Sequence, residues 1–258
     1  MCSTPCQEPA DISNNILPIN NIEILDNEIE EAIDELKNNA ASGPDGVPSI
    51  LLKKCKKALS PLLALFWNES MKTGCIPKTL KESIIAPVHK GGNKSEPANY
   101  RPVSLTSHLI RIYEKVLRNK IVKFMEENNR LNKNQHEFRK GRSCLTQLLA
   151  HHDNVLNLLE QGYNVDVVYL DFEKAFDKVD HNILLQKLKN ENIDGKTLQW
   201  IKCFLEDRTQ RVVVNGILSN PQRVLSGVPQ GSVLGPLLFL TLIGDIDEEV
   251  LNASVSSL

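Results

Sequence analysis

The chain has 258 residues, enough for one large domain or two ordinary ones around a substantial core. Hydrophobic residues at 41% and charged residues at 24% exclude a disordered polypeptide, and the longest apolar stretch, 233–243, is interrupted by Gly235 and Pro236 and too short to span a bilayer. The formal charge of −2 conceals an asymmetry, because residues 1–80 sum to −4, 81–142 to +8 and 143–258 to −6, which leaves two readings of the basic middle even: a surface for polyanions, or solvated helix faces.

In chain order, residues 1–24 read as a linker or frayed terminus, rich at first in Pro, Asn and Ser. Asn27 with Glu30 marks a helix start, with Ile29, Ala32, Ile33 and Leu36 on one face. The turn Ser42-Gly-Pro-Asp-Gly46 ends it, and helices follow over 50–59 and 62–72. Residues 82–90 are predicted as an extended segment, an edge strand because of Pro87, turning at Gly91 and Gly92 and returning over 100–105. A long helix is predicted over 106–127, and Ser143 caps another in which Leu145, Leu148, Leu149, Leu156 and Leu159 recur at helical spacing. The apolar run 167–170 reads as a buried strand ending at Asp171. Helices over 182–190 and 197–206, strands over 210–215 and 222–225, and a buried helix after Ser232 complete an α+β chain with mainly antiparallel pairing.

The six cysteines, at positions 2, 6, 55, 75, 144 and 203, include no CxxC pair and read as reduced thiols. The N-terminus has no charged region followed by an apolar core, so no signal peptide is expected. An intracellular protein follows, in the nucleus or the cytoplasm.

Two phrases concentrate the chemistry: residues 171–181, Asp-Phe-Glu-Lys-Ala-Phe-Asp-Lys-Val-Asp-His, and residues 226–236, Ser-Gly-Val-Pro-Gln-Gly-Ser-Val-Leu-Gly-Pro. A carboxylate at a strand end is a ready ligand for a hard cation such as magnesium, which takes oxygen donors and only one or two from protein. Alone, Asp171 reads better as a helix cap. Gln230, between Pro229 and Gly231, can donate and accept at once where glycine lets backbone approach a ligand. Lys90 and Arg101 flank a glycine turn and suit a triphosphate, though an exposed cation is usually only solvated.

Both phrases resemble the palm of reverse transcriptases from non-LTR (LINE- or jockey-type) retrotransposons. So do the turn at 42–46, the segment 100–105 and residues 135–143, in that family's order. The segment 135–143 has Glu137 where the family commonly has Gly. The resemblance implies a right-hand polymerase fold, with fingers over about 25–160 and a partial palm over about 161–258. It implies Asp171 as a catalytic aspartate, with the carbonyl of Phe172 as a second ligand to one of two Mg²⁺ ions. Phe176 would stack under the sugar, a role the residue alone does not separate from that of a core phenylalanine. Gln230 and Gly231 would border the nucleotide, Lys90 and Arg101 would clamp it, and Arg139, Lys140 and Arg142 would face template phosphates. Implied partners are an RNA template, a DNA primer and deoxynucleoside triphosphates, with no membrane. The family's third palm motif, an aromatic-Ala-Asp-Asp turn, has no counterpart, for the 258 residues contain no adjacent aspartates. The expectation is therefore a polymerase fragment without a thumb, inactive alone, or else a non-catalytic remnant that binds nucleic acid or has no function.

Overall fold

The computed structural model describes residues 17–130, 144–169, 172 and 175–245. The helices are α1 (Asp26–Asp34), α2 (Ser49–Lys54), α3 (Lys56–Thr73), α4 (His108–Glu127), α5 (Cys144–Glu160), α6 (His181–Asn190), α7 (Gly195–Leu205) and α8 (Gly235–Ile243). The strands are β1 (Glu82–His89), β2 (Tyr100–Leu105), β3 (Arg208–Val214), β4 (Ile217–Leu218) and β5 (Gln222–Val224). The α+β expectation holds. None of the described helices is long and apolar enough to cross a membrane.

The sheet runs β2-β1-β3-β4, with β5 also on β3, and every pairing is antiparallel except the parallel pair β1·β3. This corrects the edge-strand expectation for Pro87, since β1 lies between β2 and β3. The parallel ladder covers only Glu82 to Ile85, so Pro87 lies beyond it. On the other side Pro87 faces Pro102. Counting from the bonded pair formed by Lys90 N–H and the Asn99 carbonyl, these prolines fall at a non-hydrogen-bonded position, where neither needs a donor.

A second correction concerns the predicted strand at 167–170. Val167, Val168 and Tyr169 belong to no strand and are exposed. β character depends on a partner ladder, and among the described residues none pairs with this segment. Leu170 and Asp171 lie outside the described residues.

One hydrophobic cluster runs from Ile22 to Leu238 and joins α1, α3, α4, α6, α7 and α8. Ile22 and Ile24 belong to it, so the core reaches into the stretch expected as a linker. Ile19 is tied in by a backbone bridge to Ile193. At the centre Trp67 stacks on Tyr113 at 4.5 Å, Tyr113 meets Trp200 at 4.5 Å, and Trp200 stacks on Phe204 at 5.7 Å. The helix starts are built locally. Asp180 accepts from the amides of Asn182 and Ile183, Ser107 from Leu109, and the Glu28 carboxylate from Leu25 N–H. The last places the α1 start one residue before Asn27. Cys55, Cys75 and Cys203 are free thiols.

Candidate nucleotide site

The two chemical phrases are laced together. Val228 N–H donates to the Phe176 carbonyl (2.8 Å), Gly227 N–H to that of Val179 (2.9 Å), and the Ser226 hydroxyl to that of Asp177 (3.0 Å). His181 Nε2 lies 2.8 Å from the Gly227 carbonyl, which can only accept, so this nitrogen carries the proton. Gly227 has φ +86°, and a Cβ there would sit 2.7 Å from the Phe176 carbonyl oxygen. Only glycine lets the strands of this weave approach so closely.

Gln230 reaches back across the same seam. Its side-chain amide donates to the Asp177 carboxylate at 3.0 Å, and its own carbonyl accepts from Ser104 N–H at 2.6 Å. Ser104 is opposite Ile85 in a non-hydrogen-bonded position of the β1·β2 ladder, so its N–H points outward. The Gln230 loop therefore covers an edge of β2 that would otherwise stand open. Gly231, at φ +108°, packs on the Ser104 carbonyl, where a Cβ would come within 2.9 Å. The Gln230 loop and the β1–β2 hairpin are thus joined through backbone.

Lys90 and Arg101 stand on that hairpin, both exposed, with Arg101 opposite Val88. Arg101 is three residues from Ser104 along β2, roughly 10 Å of strand. Phe176 is half-buried, and its ring stacks on Phe239 of α8 at 5.0 Å, while the exposed Phe172 meets Phe239 edge-on at 6.3 Å. Gln230, Gly231, Phe176 and Phe172 therefore belong to one neighbourhood with the hairpin. Asp171, Arg139, Lys140 and Arg142 lie outside the described residues. Among the described residues no group of three or more His, Cys, Asp or Glu side chains is placed to hold a metal ion.

Sequence reading missed three participants: Asp177 as the partner of Gln230, Phe239 as the aromatic floor, and Glu114. Glu114 is fully buried on α4, and its Oε2 accepts from Val233 N–H (2.7 Å) and Leu234 N–H (2.9 Å), the amides that lead into α8. Its Oε1 has no partner. Burial raises its pKa, opposed by the two amides and by the charges of Arg208 and Arg111. Arg208 is itself buried at the start of β3, its guanidinium 4.9 Å above the Phe204 ring, with burial lowering its pKa to about 10. A signal for Glu114 did exist. Residues 110, 114, 117 and 121 form one helical stripe, and Glu114 is the charge in it.

Residues 88–257 match the family described as Reverse transcriptase (RNA-dependent DNA polymerase), and the chain belongs to that family. It is 34% identical over 231 residues to the probable RNA-directed DNA polymerase from transposon BS of Drosophila melanogaster, covering 89% of this chain and 25% of that protein. To the RNA-directed DNA polymerase from mobile element jockey of the same fly it is 31% identical over 220 residues, 85% of this chain and 24% of the other. The chain thus spans about a quarter of the length of these curated relatives. Among solved structures, a partial Cas6-RT-Cas1–Cas2 complex superposes with TM-score 0.45 at 20% identity, covering 86% of this chain and 33% of that one.

Proposed function

We propose that this chain forms the nucleotide- and template-facing part of an RNA-directed DNA polymerase that joins deoxynucleoside triphosphates to a DNA primer on an RNA template. The observation that carries the reading is the seam at Gln230: one residue binds the 175–181 segment through its side chain and the fingers-like hairpin through its carbonyl. In this reading residues about 25–160 act as fingers and about 161–258 as partial palm. Lys90 and Arg101 hold the triphosphate, the guanidinium as a fork and the ammonium as a point charge. Gln230 and Gly231 border the incoming nucleotide and template base, and Phe176, backed by Phe239, lies under the sugar. Arg139, Lys140 and Arg142 meet template phosphates. Asp171 and the Phe172 carbonyl fit a hard divalent ion by donor chemistry, an ionised carboxylate beside a peptide oxygen. Two magnesium ions would supply activation of the attacking hydroxyl and stabilisation of the leaving phosphates.

The test has two arms. Fluorescence titration of residues 1–258 with an RNA–DNA hybrid should show affinity that falls steeply between low and moderate salt, because neutralised phosphates release counterions. Affinity indifferent to salt overturns the nucleic-acid reading. In primer extension with magnesium or manganese, the same polypeptide should give no product. Of the carboxylates the family uses, these 258 residues offer Asp171 but no adjacent Asp pair. Losing one stabilising group of this kind costs about 3 kcal/mol or more, and groups that act as a unit fail together. Extension abolished by Asp171→Ala would show that these residues complete the site by themselves.

A further inference from the structure

Holding the Gln230 loop in register requires something beneath it, and what lies there is a charge. Residues 226–234 form no regular element, so their backbone amides need partners from elsewhere. Gly227 and Val228 find theirs in the 176–179 carbonyls, while Val233 and Leu234 find theirs in a single carboxylate oxygen, Glu114 Oε2. That carboxylate comes from the middle of α4, 119 residues away in sequence from Val233. α4 packs on α1. The loop is thus held at one end by the 176–179 segment, at Gln230 by Ser104, and at the other end by Glu114. The hydrogen bonds that Glu114 accepts come from Val233 and Leu234 and not from Gln230.

Burying a carboxylate is costly unless it is hydrogen-bonded and compensated. A neutral side chain would fill this space more cheaply if packing were its only task. Glu114 does two separable things: it presents an acceptor at the right reach for two amides, and it places a negative charge in the field of Arg208 and Arg111. We propose that Glu114 is a positioning residue for nucleotide binding, which sets the backbone of the 228–234 loop and through it the place of Gln230 and Gly231. The inference rests on the reading of that loop as the nucleotide border.

The two roles come apart by substitution. Glu114→Asp keeps the charge and withdraws the acceptor by about 1.5 Å, one carbon–carbon bond. Glu114→Gln keeps the reach and removes the charge. Site-resolved hydrogen exchange on residues 1–258, read against global stability from urea unfolding, decides between them. The expected result is that Glu114→Asp accelerates exchange at the amides of Val228, Val233, Leu234 and Ser104 by about tenfold or more beyond any global change. Glu114→Gln should leave these amides at wild-type protection relative to its own global stability, even if it is the less stable protein. Uniform acceleration across the chain in both variants, or no local release in Glu114→Asp, overturns the proposal and leaves Glu114 a core residue. A second readout ties the loop to nucleotide. With an RNA–DNA template–primer bound, a fluorescent deoxynucleoside triphosphate should bind Glu114→Asp about tenfold more weakly with template–primer affinity unchanged, and should also bind Gln230→Ala more weakly. If the wild-type complex takes no nucleotide, the nucleotide reading of the loop fails, whereas the exchange pattern still decides whether Glu114 holds it.

Discussion

His108 is enclosed on every side, and neither ring nitrogen has a partner in hydrogen-bonding geometry. Burial, then the charge of Arg111, pushes its pKa below the ordinary histidine range, while Asp45 and the Ala40 carbonyl pull weakly the other way. The folded state therefore holds this ring neutral while the unfolded chain protonates it near pH 6.5. Stability is kept above that pH and is lost as the pH falls through 6.5 toward the folded value, by at most about 1.4 kcal/mol per pH unit for one group. Glu114 has the reverse sign: it favours the fold below pH 4.5 and loses that contribution as the pH rises toward its raised folded value. Urea unfolding of wild type and His108→Gln from pH 7.5 to 5.5 isolates the histidine, since Glu114 is common to both. The wild-type curve should fall more steeply, and parallel curves would show that His108 does not titrate on unfolding.

At the scale of elements, the basic stretch 81–142 divides in two. On α4, Lys115 pairs with Glu35 and Lys120 with Glu28, both acids lying on or just after α1, and Lys123 meets Glu127 at 3.8 Å; past the helix, Arg130 meets Glu191 at 3.9 Å. Three of the cations behind the +8, Lys115, Lys120 and Arg130, are thus met by acids from outside the segment. The β1–β2 hairpin carries Lys90 and Arg101 with no ion pair among the described residues. With an RNA–DNA hybrid bound, Lys90→Ala or Arg101→Ala should weaken binding of a deoxynucleoside triphosphate and flatten the slope of its log affinity against log salt. Lys115→Ala and Lys120→Ala should leave that slope nearly unchanged. Equal effects from helix and hairpin would mean that the α1–α4 pairs open when nucleic acid binds.

At the scale of the whole molecule, the apolar cluster is continuous from Ile22 to α8. Trp200 is its clearest joint: wholly buried on α7, it touches Tyr113 of α4 and Trp67 of α3, and its indole N–H donates to the Ser70 hydroxyl at 3.0 Å. Trp200→Ala should cost about 3–5 kcal/mol, the range for removing a large core aromatic. With one shared core, tryptophan fluorescence and far-ultraviolet circular dichroism should report a single coincident urea transition in the wild type. Two separated transitions would show that the halves fold apart despite their common core.

Local signals were enough to find α4, α6, α7, β3 and β5 to within a few residues, whereas the break expected between helices over 50–59 and 62–72 falls earlier, at Cys55 between α2 and α3, and Pro61 sits inside α3. Two phrases of sequence were enough to place the chain in its family and to single out Gln230, Gly231 and Phe176 as neighbours. What no local signal contained were the partnerships: Gln230 with Asp177, Gly231 against Ser104, Phe176 on Phe239, and Glu114 under the loop. Each depends on residues brought together from distant positions, and the identity of a residue does not state its partner. The same limit explains the two corrections. Pro87 was tolerable in an internal strand because the parallel ladder stops at Ile85, and the run at 167–169 stayed out of any strand for lack of a neighbour. A chain can specify its own helices, but a strand or a buried charge is settled only by what the fold sets beside it.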